Sequence, residues 1–248
     1  MSLVQVSIED GVARLSLDSP HNRNALSRQL VAELNEGLDR AEASPSAKVV
    51  VLQAAGDVFC SGADLAEASA ADSIADGVRG LIALLRRIIT LDKPVVARVH
   101  GAVRAGGIGL VGAADVALAS PEATFALTEV RLGLAPAAIS LVLLPRLTPR
   151  AASRTFLSAE KFDAAAAASY GLVTDVAADL DGAVERVVAD LGKAHPQGLR
   201  ETKRLLNADL VRHLDAHADD MAALSARLFG SEGAHEAMTA FLNRATRS

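Results

Sequence analysis

Three short, almost unbroken aliphatic runs constrain this chain more than any other feature: KVVVLQA at 48–54, PVVARV at 94–99 and DVALA at 115–119. A strand buried on both faces reads as a continuous apolar run, whereas a half-exposed strand alternates, so these runs belong inside a parallel sheet. The stretch between the first two is helical. Ser73 and Asp76 form a capping-box pattern there, and Ile74, Val78, Leu81, Leu85 and Ile88 make one apolar stripe. Strand, helix and strand in this order predict an α/β fold with helices as crossovers. Upstream, residues 3–8 and 12–17 alternate around Asp10-Gly11, the signature of a hairpin, and Ser27 can cap a helix carrying Leu30, Leu34, Leu38 and Ala41 on one face.

From about residue 137 the pattern is almost wholly helical, interrupted by a short extended piece at 171–176, so the sheet is expected to be an N-terminal affair. Leu180, Val184, Val187 and Leu191 mark one helix, Leu205, Leu206 and Leu210 a second, Leu224 and Leu228 a third, and AAAAA at 164–168 a short one. The economical division is an α/β core over 1–190 and a helical C-terminal region over 191–248.

Bulk properties narrow the function. Half of the 248 residues are hydrophobic, enough for a sizeable core. A net charge of −5 and 3% aromatic residues argue against a nucleic-acid binder, which would need a basic face and stacking side chains. The N-terminus lacks a secretion-signal layout and no run of about twenty apolar residues occurs, so a cytoplasmic protein with no membrane partner is expected. Cys60 is the single cysteine, and no zinc-ligand spacing is present, so no metal is expected. His213 and His217 stand one helical turn apart near Asp215, an arrangement better explained by a solvated face.

Three segments could carry chemistry. In Phe59-Cys60-Ser61-Gly62-Ala63-Asp64-Leu65, a turn between strand and helix could aim free amides at one point, or Asp64 could simply cap a helix. In His100-Gly101-Ala102-Val103-Arg104-Ala105-Gly106-Gly107-Ile108-Gly109-Leu110, a helix beginning near Ala105 would place the Gly106 N–H at its positive end. The formal G-x-G-x-x-G at Gly107, Gly109 and Gly112 begins too far beyond the strand for a dinucleotide site, and close packing explains those glycines. In the third segment, Glu129 of EVRLGL sits among apolar residues, which suits general acid/base chemistry; the alternative is an ion pair with Arg131 or Arg98.

SGADL, HGAVRAGG and EVRLGL, in this order, resemble the enoyl-CoA hydratase/isomerase (crotonase) superfamily, as do Asn24-Ala25-Leu26 and the C-terminal GAHEAMTAFLNR. The resemblance spans essentially the whole chain. It implies a spiral of β-β-α turns with a helical C-terminal trimerisation region, in a homotrimer or dimer of trimers. It implies an acyl-CoA substrate, with coenzyme A as part of that substrate and no other cofactor. The backbone amides of Ala63 and Gly106 would grip the thioester oxygen, and Glu129 would be the acid/base. Arg23, Ala25, Leu26, Asp64 and Leu65 would line the CoA path, closed by Phe241 and Arg244 of a neighbouring subunit. Fatty acid metabolism or leucine degradation is the implied setting.

One departure stands out. Typical hydratases of the family carry two glutamates, and here Gly109 occupies the first position. The remaining pattern resembles hydratases of methylglutaconyl-CoA and related thioesters, or Δ3,Δ2-enoyl-CoA isomerases. The expected reaction is addition of water to a 2-enoyl-CoA, with branched or carboxylated acyl groups, as in methylglutaconyl-CoA, among those the resemblance suggests. The alternatives are isomerisation with Glu129 as single base, and a catalytically silent CoA-binding protein. A substrate carboxylate could meet Arg104, although a solvated side chain is the simpler reading of that residue.

Overall fold

The computed structural model describes residues 2–64, 67 and 71–245, with side chains for all of these except 71–74 and 241–245. Val4–Glu9 (β1) and Val12–Leu17 (β2) form the expected hairpin, turning through Asp10 and Gly11, both with positive φ. Ser27 caps Arg28–Ala43 (α1), its side chain accepting from the Leu30 N–H at 3.1 Å. The apolar runs become Val49–Ala54 (β3), Val95–Val99 (β5) and Val116–Ala119 (β7), all parallel.

Asp175–Val176 (β10) completes a sheet in the order β1-β2-β3-β5-β7-β10. Successive residues of β3 serve opposite faces: Val50 and Leu52 join the main core with α1, whereas Val49 and Val51 pack with Val184 and Val188 of Leu180–Gly192 (α7). Burial on both faces is why these strands read as unbroken aliphatic runs.

A second sheet is absent from the sequence reading. Val58–Cys60 (β4), Ala102–Arg104 (β6), Thr124–Ala126 (β8) and Phe162–Asp163 (β9) pair in that order. The sheet structure is therefore not confined to the N-terminal part. Three strands of the large sheet are each followed by one of the small sheet and then a helical segment: β3, β4 and Ala71–Thr90 (α2), then β5, β6 and Gly106–Ala113 (α3), then β7 and β8 leading through a 3-10 turn at Glu129–Leu132 to Ala137–Leu143 (α4). Because α2 begins at Ala71, Ser73 lies inside the helix and does not precede it.

Pro149–Ser158 (α5) and Ala164–Tyr170 (α6) precede α7, and α6 contains the alanine run. The two helices expected around Leu210 and Leu228 are one, Pro196–Phe229 (α8), followed by Glu232–Ala245 (α9). Leu210 is buried, but Leu205 and Leu206 are exposed, so they do not share its packing face.

The long helix α8 is fastened to the core by a buried polar cluster. Lys203 is 5% exposed and donates to Asp115 Oδ2 at 2.8 Å and to the carbonyls of Ile88 and Lys93. Asn207 donates to Asp115 Oδ1, and Asp115 Oδ2 also accepts from the Val95 N–H. All three ammonium donors are thus satisfied. Replacing Lys203 with Met would leave the Asp115 charge without its ammonium partner, and denaturant unfolding should show a loss of about 3 to 5 kcal/mol.

Candidate active site

The loop before α1 and the loop after β4 are laced together. Arg23 and Asn24 both adopt positive φ, and the Asn24 side chain accepts from the Ser19 N–H and donates to the carbonyls of Ala55 and Val58. Ser61 N–H donates to Arg23 O, and Leu26 N–H to Gly62 O at 2.7 Å, so Leu26 and Ala63 run as a short parallel bridge. Within that bridge Leu26 spends its N–H and C=O on the residues flanking Ala63. Among the described residues, no acceptor takes the Ala63 N–H.

The second amide comes from the start of α3. Ala105 is held at φ 46° and ψ −123°, with its N–H donated to Ala126 O at 3.1 Å, and the helix begins at Gly106 with no side-chain cap. As a first helical residue Gly106 has no intrahelical acceptor for its N–H. A Cβ on Gly106 would lie 3.9 Å from the Ala63 nitrogen, and one on Gly62 would lie 3.4 Å from the Gly106 nitrogen. The two amides therefore stand side by side. Gly62 is required here twice over, by its φ of 92° and because a Cβ would strike Ala105 Cβ at 2.8 Å.

At the far end of α3, Arg146 donates to the carbonyls of Gly112 and Ala114. A cation at that end complements the dipole whose positive end is Gly106. Gly107 and Gly112 serve close packing, as expected, since a Cβ would meet Cys60 at 2.7 Å and Leu143 at 2.6 Å respectively. Cys60 is buried, and burial pushes its thiol up to about 12, so it is no nucleophile. Ser61 has its hydroxyl directed to Asn22 O.

Glu129 opens the 3-10 turn that follows β8, shortly beyond the Ala126 carbonyl bonded to Ala105. Its Oε2 is shut off from solvent and has no hydrogen-bond partner among the described residues. Burial pushes its pKa up to about 7, against an opposing hydrogen bond from its own backbone. The ion-pair alternative is not realised: Arg98 binds Asp181 at 2.6 Å, and Glu129 makes no salt bridge among the described residues. Gly133 closes the turn in a left-handed conformation and packs against the start of α9, where a Cβ would approach the Ala234 nitrogen at 3.1 Å. Ala234 is buried within this chain.

The place of the missing glutamate is filled. A Cβ on Gly109 would lie 2.6 Å from Ile139 Cγ2 and 3.3 Å from Leu85 Cδ1. The wall there is aliphatic, with no room for an acid. Gly109→Ala should overpack this contact and lower stability by about 1 to 3 kcal/mol, measured by thermal unfolding.

Beside Ala63 a groove of about 280 Å³ runs between α1 and α2 and ends against Phe229. Of the residues expected on the CoA path, Leu26 and Asp64 line it, whereas Arg23 is exposed and Ala25 buried outside its lining. Asp64 accepts from Asn22 Nδ2 at 3.3 Å. Leu65 lies outside the described residues, as do the side chains of Phe241 and Arg244. Arg104 is not a solvated surface residue: it is half-buried, its guanidinium bonded to the carbonyls of Val103 and Thr124 and to Thr124 Oγ1, and burial lowers its pKa. Asp215, near the rings of His213 and His217, which lie tilted at 58° to each other, is held instead by Arg86 at 2.7 and 3.0 Å.

Paired strands from two sheets, repeated β-β-helix turns, two adjacent free amides and one buried carboxylate define a member of the crotonase superfamily. Residues 7–247 match the family model described as Enoyl-CoA hydratase/isomerase, and the chain belongs to that family of enzymes. A crystal structure of an enoyl-CoA hydratase from Mycobacterium avium has a TM-score of 0.94 at 48% identity, over 98% of this chain and 97% of that one. The 2,3-dehydroadipyl-CoA hydratase of Escherichia coli is 31% identical over 250 residues, 99% of this chain and 98% of that protein. The (7aS)-7a-methyl-1,5-dioxo-2,3,5,6,7,7a-hexahydro-1H-indene-carboxyl-CoA hydrolase of Mycobacterium tuberculosis is 33% identical over 222 residues, 87% of this chain and 88% of that one.

Proposed function

We propose that this chain adds water to a 2-enoyl-CoA, with Glu129 as its one acid/base and the amides of Ala63 and Gly106 as the receptor for the thioester oxygen. The observation that carries the reading is Glu129 Oε2, buried without a partner among the described residues on a carboxyl that burial raises to about 7, in the turn that follows the strand whose Ala126 carbonyl holds Ala105. Glu129 as carboxylate takes a proton from water while the water oxygen bonds to Cβ. The electron pair of the double bond moves into the thioester, and the negative oxygen is met by two N–H groups that need no reorganisation. The proton on Glu129 then passes to Cα, restoring the carboxylate.

A second reading has its own support. The aliphatic wall of Ile139 and Leu85 offers no group to hold a water at the Gly109 position, which favours a single base carrying one proton from C2 to C4 of a 3-enoyl thioester. Mass spectrometry separates the two. Turnover in oxygen-18 water labels a hydration product, whereas isomerisation leaves the oxygen mass unchanged. Turnover of neither a 2-enoyl- nor a 3-enoyl-CoA would leave a protein that only binds the thioester. The relatives named as hydratases support the first reading. Of the branched or carboxylated acyl groups that the resemblance suggests, the choice falls to the groove beside Ala63.

A further inference from the structure

Arg104 ends β6 just before the Ala105–Gly106 step, and Thr124 begins β8, the strand that leads to Glu129. The two strands are parallel, with Arg104 opposite Ala126, and each is only 3 residues long. That is the lower end of strand length, so the ladder alone holds them weakly. Across it the guanidinium adds three bonds: Nη1 donates to Val103 O at 2.8 Å and to Thr124 O at 2.6 Å, and Nη2 to Thr124 Oγ1 at 3.0 Å. A planar fork fixes the direction of its acceptors as well as their distance. What it braces is a strained link. Ala105, at φ 46° and ψ −123°, holds a conformation that a non-glycine residue keeps only where its surroundings over-determine it. The direction of the Gly106 N–H follows from those dihedrals, and so from the seating of β6 on β8.

The charge of Arg104 has no partner. Burial alone acts on it, and it makes no salt bridge among the described residues. Other guanidiniums withdrawn from water are met by acids: Arg87 by Asp39 and Glu42, and Arg98 by Asp181, while Arg146 feels the charge of Asp115. Desolvating a cation against neutral acceptors is costly, and an apolar side chain of similar length would fill the place without that cost. Stability therefore does not account for an arginine here.

We infer that Arg104 is a positioning residue, whose guanidinium clamps β6 to β8 and so keeps the Gly106 amide and the Glu129 carboxyl in register for the transition state. The inference rests on the reading above, in which both groups act on a thioester, but not on which reaction follows. The test is Arg104→Met, assayed on a 2-enoyl- and a 3-enoyl-CoA. Its kcat should fall about ten- to a hundredfold, the loss expected when reacting groups are misplaced by about 1 Å. Hexanoyl-CoA, a saturated thioester, should bind within about threefold of the wild type by calorimetry. The variant should melt within about 4 °C of the wild type. Thr124→Val removes one acceptor and keeps a strand-forming shape. It should cost about threefold in kcat and add nothing to the loss in Arg104→Met, because both break one clamp; it also carries the test if the methionine variant does not fold. The carbonyl stretch of carbon-13-labelled hexanoyl-CoA reports the amides without turnover. It should drop on binding to the wild type and drop about half as far in Arg104→Met. Unchanged kcat in the folded variants, an equal carbonyl shift in wild type and Arg104→Met, or a loss of affinity as large as the loss of kcat would each overturn this inference alone. A carbonyl that does not shift in the wild type would overturn the oxyanion reading, and this inference with it.

Discussion

Glu129→Gln should lower kcat by about a thousandfold while leaving acyl-CoA affinity within a few-fold, because a single positioned acid/base contributes roughly 10² to 10⁴ and this one is asked to perform both proton transfers. The amide keeps the shape of the side chain and removes its ability to carry a proton. Stopped assays give the rate and calorimetry the affinity. Wild-type kcat/KM for hydration should rise with pH through about 7, as the buried carboxylate ionises and becomes a base. Loss of that limb in the variant's residual activity ties the profile to Glu129. If most activity survives, the one-carboxylate mechanism fails, and Glu67, which lines the groove and accepts from the Arg28 N–H at 2.9 Å, is the next acid to replace.

The same shift makes Glu129 a liability for folding, and its sign can be worked out. The folded state holds the proton up to about pH 7, against an ordinary 4.5, so it binds the proton more tightly than the unfolded chain does. The contribution is fully present below pH 4.5 and is lost as pH rises through about 7. The loss has a ceiling of about 3 kcal/mol. Glu129→Gln, which cannot ionise, should therefore be more stable than the wild type at about pH 8 and lose this advantage below about pH 4.5. A dead enzyme that is also a more stable protein is the joint outcome that separates a catalytic carboxylate from a structural one.

How much of this was legible beforehand follows from which forces leave a mark on short stretches of sequence. The parallel strands β3, β5 and β7 were readable because burial on two faces demands consecutive aliphatics. Strands β4, β6, β8 and β9 were not, because two or three residues carry no periodicity, and two of them lie in segments whose glycines suggest a loop. The length of α8 was hidden by its amphipathy: Leu205 and Leu206 stand on its solvent side, so a stripe drawn through them breaks.

At the site, the types of residue were visible and their constraints were not. Glu129 among apolar neighbours suggested a raised pKa, but only the structure shows that Arg98 is taken by Asp181. The bridge between Leu26 and Ala63 and the strained φ of Ala105 depend on contacts between loops far apart in the chain. No local pattern encodes them. The filling of the Gly109 position by Ile139 is likewise a contact between separate helices, α3 and α4.

Gly106→Pro should cost about a hundredfold to a thousandfold in kcat/KM, the range expected when one preorganised donor to a developing oxyanion is removed. Proline is tolerated at a first helical position because the N–H it lacks has no intrahelical acceptor, so α3 loses no hydrogen bond of its own. What disappears is the donor that stands beside the Ala63 amide. The substitution also restricts the residue before it, and Ala105 is already held at φ 46° and ψ −123°, so the kinetic measurement belongs with a melting curve. Gly106→Ala supplies the comparison. It keeps the N–H, and its Cβ would meet only the mobile ends of Leu26 and Leu81, at 3.0 and 3.4 Å. If the rate depends on the amide, the alanine variant should lose far less than the proline variant at equal thermal stability. If both lose alike, crowding of the groove is the cause. If a folded Gly106→Pro protein turns over at a near-normal rate, the thioester oxygen is bound elsewhere, and the pairing of Ala63 with Gly106 is then a feature of the fold alone.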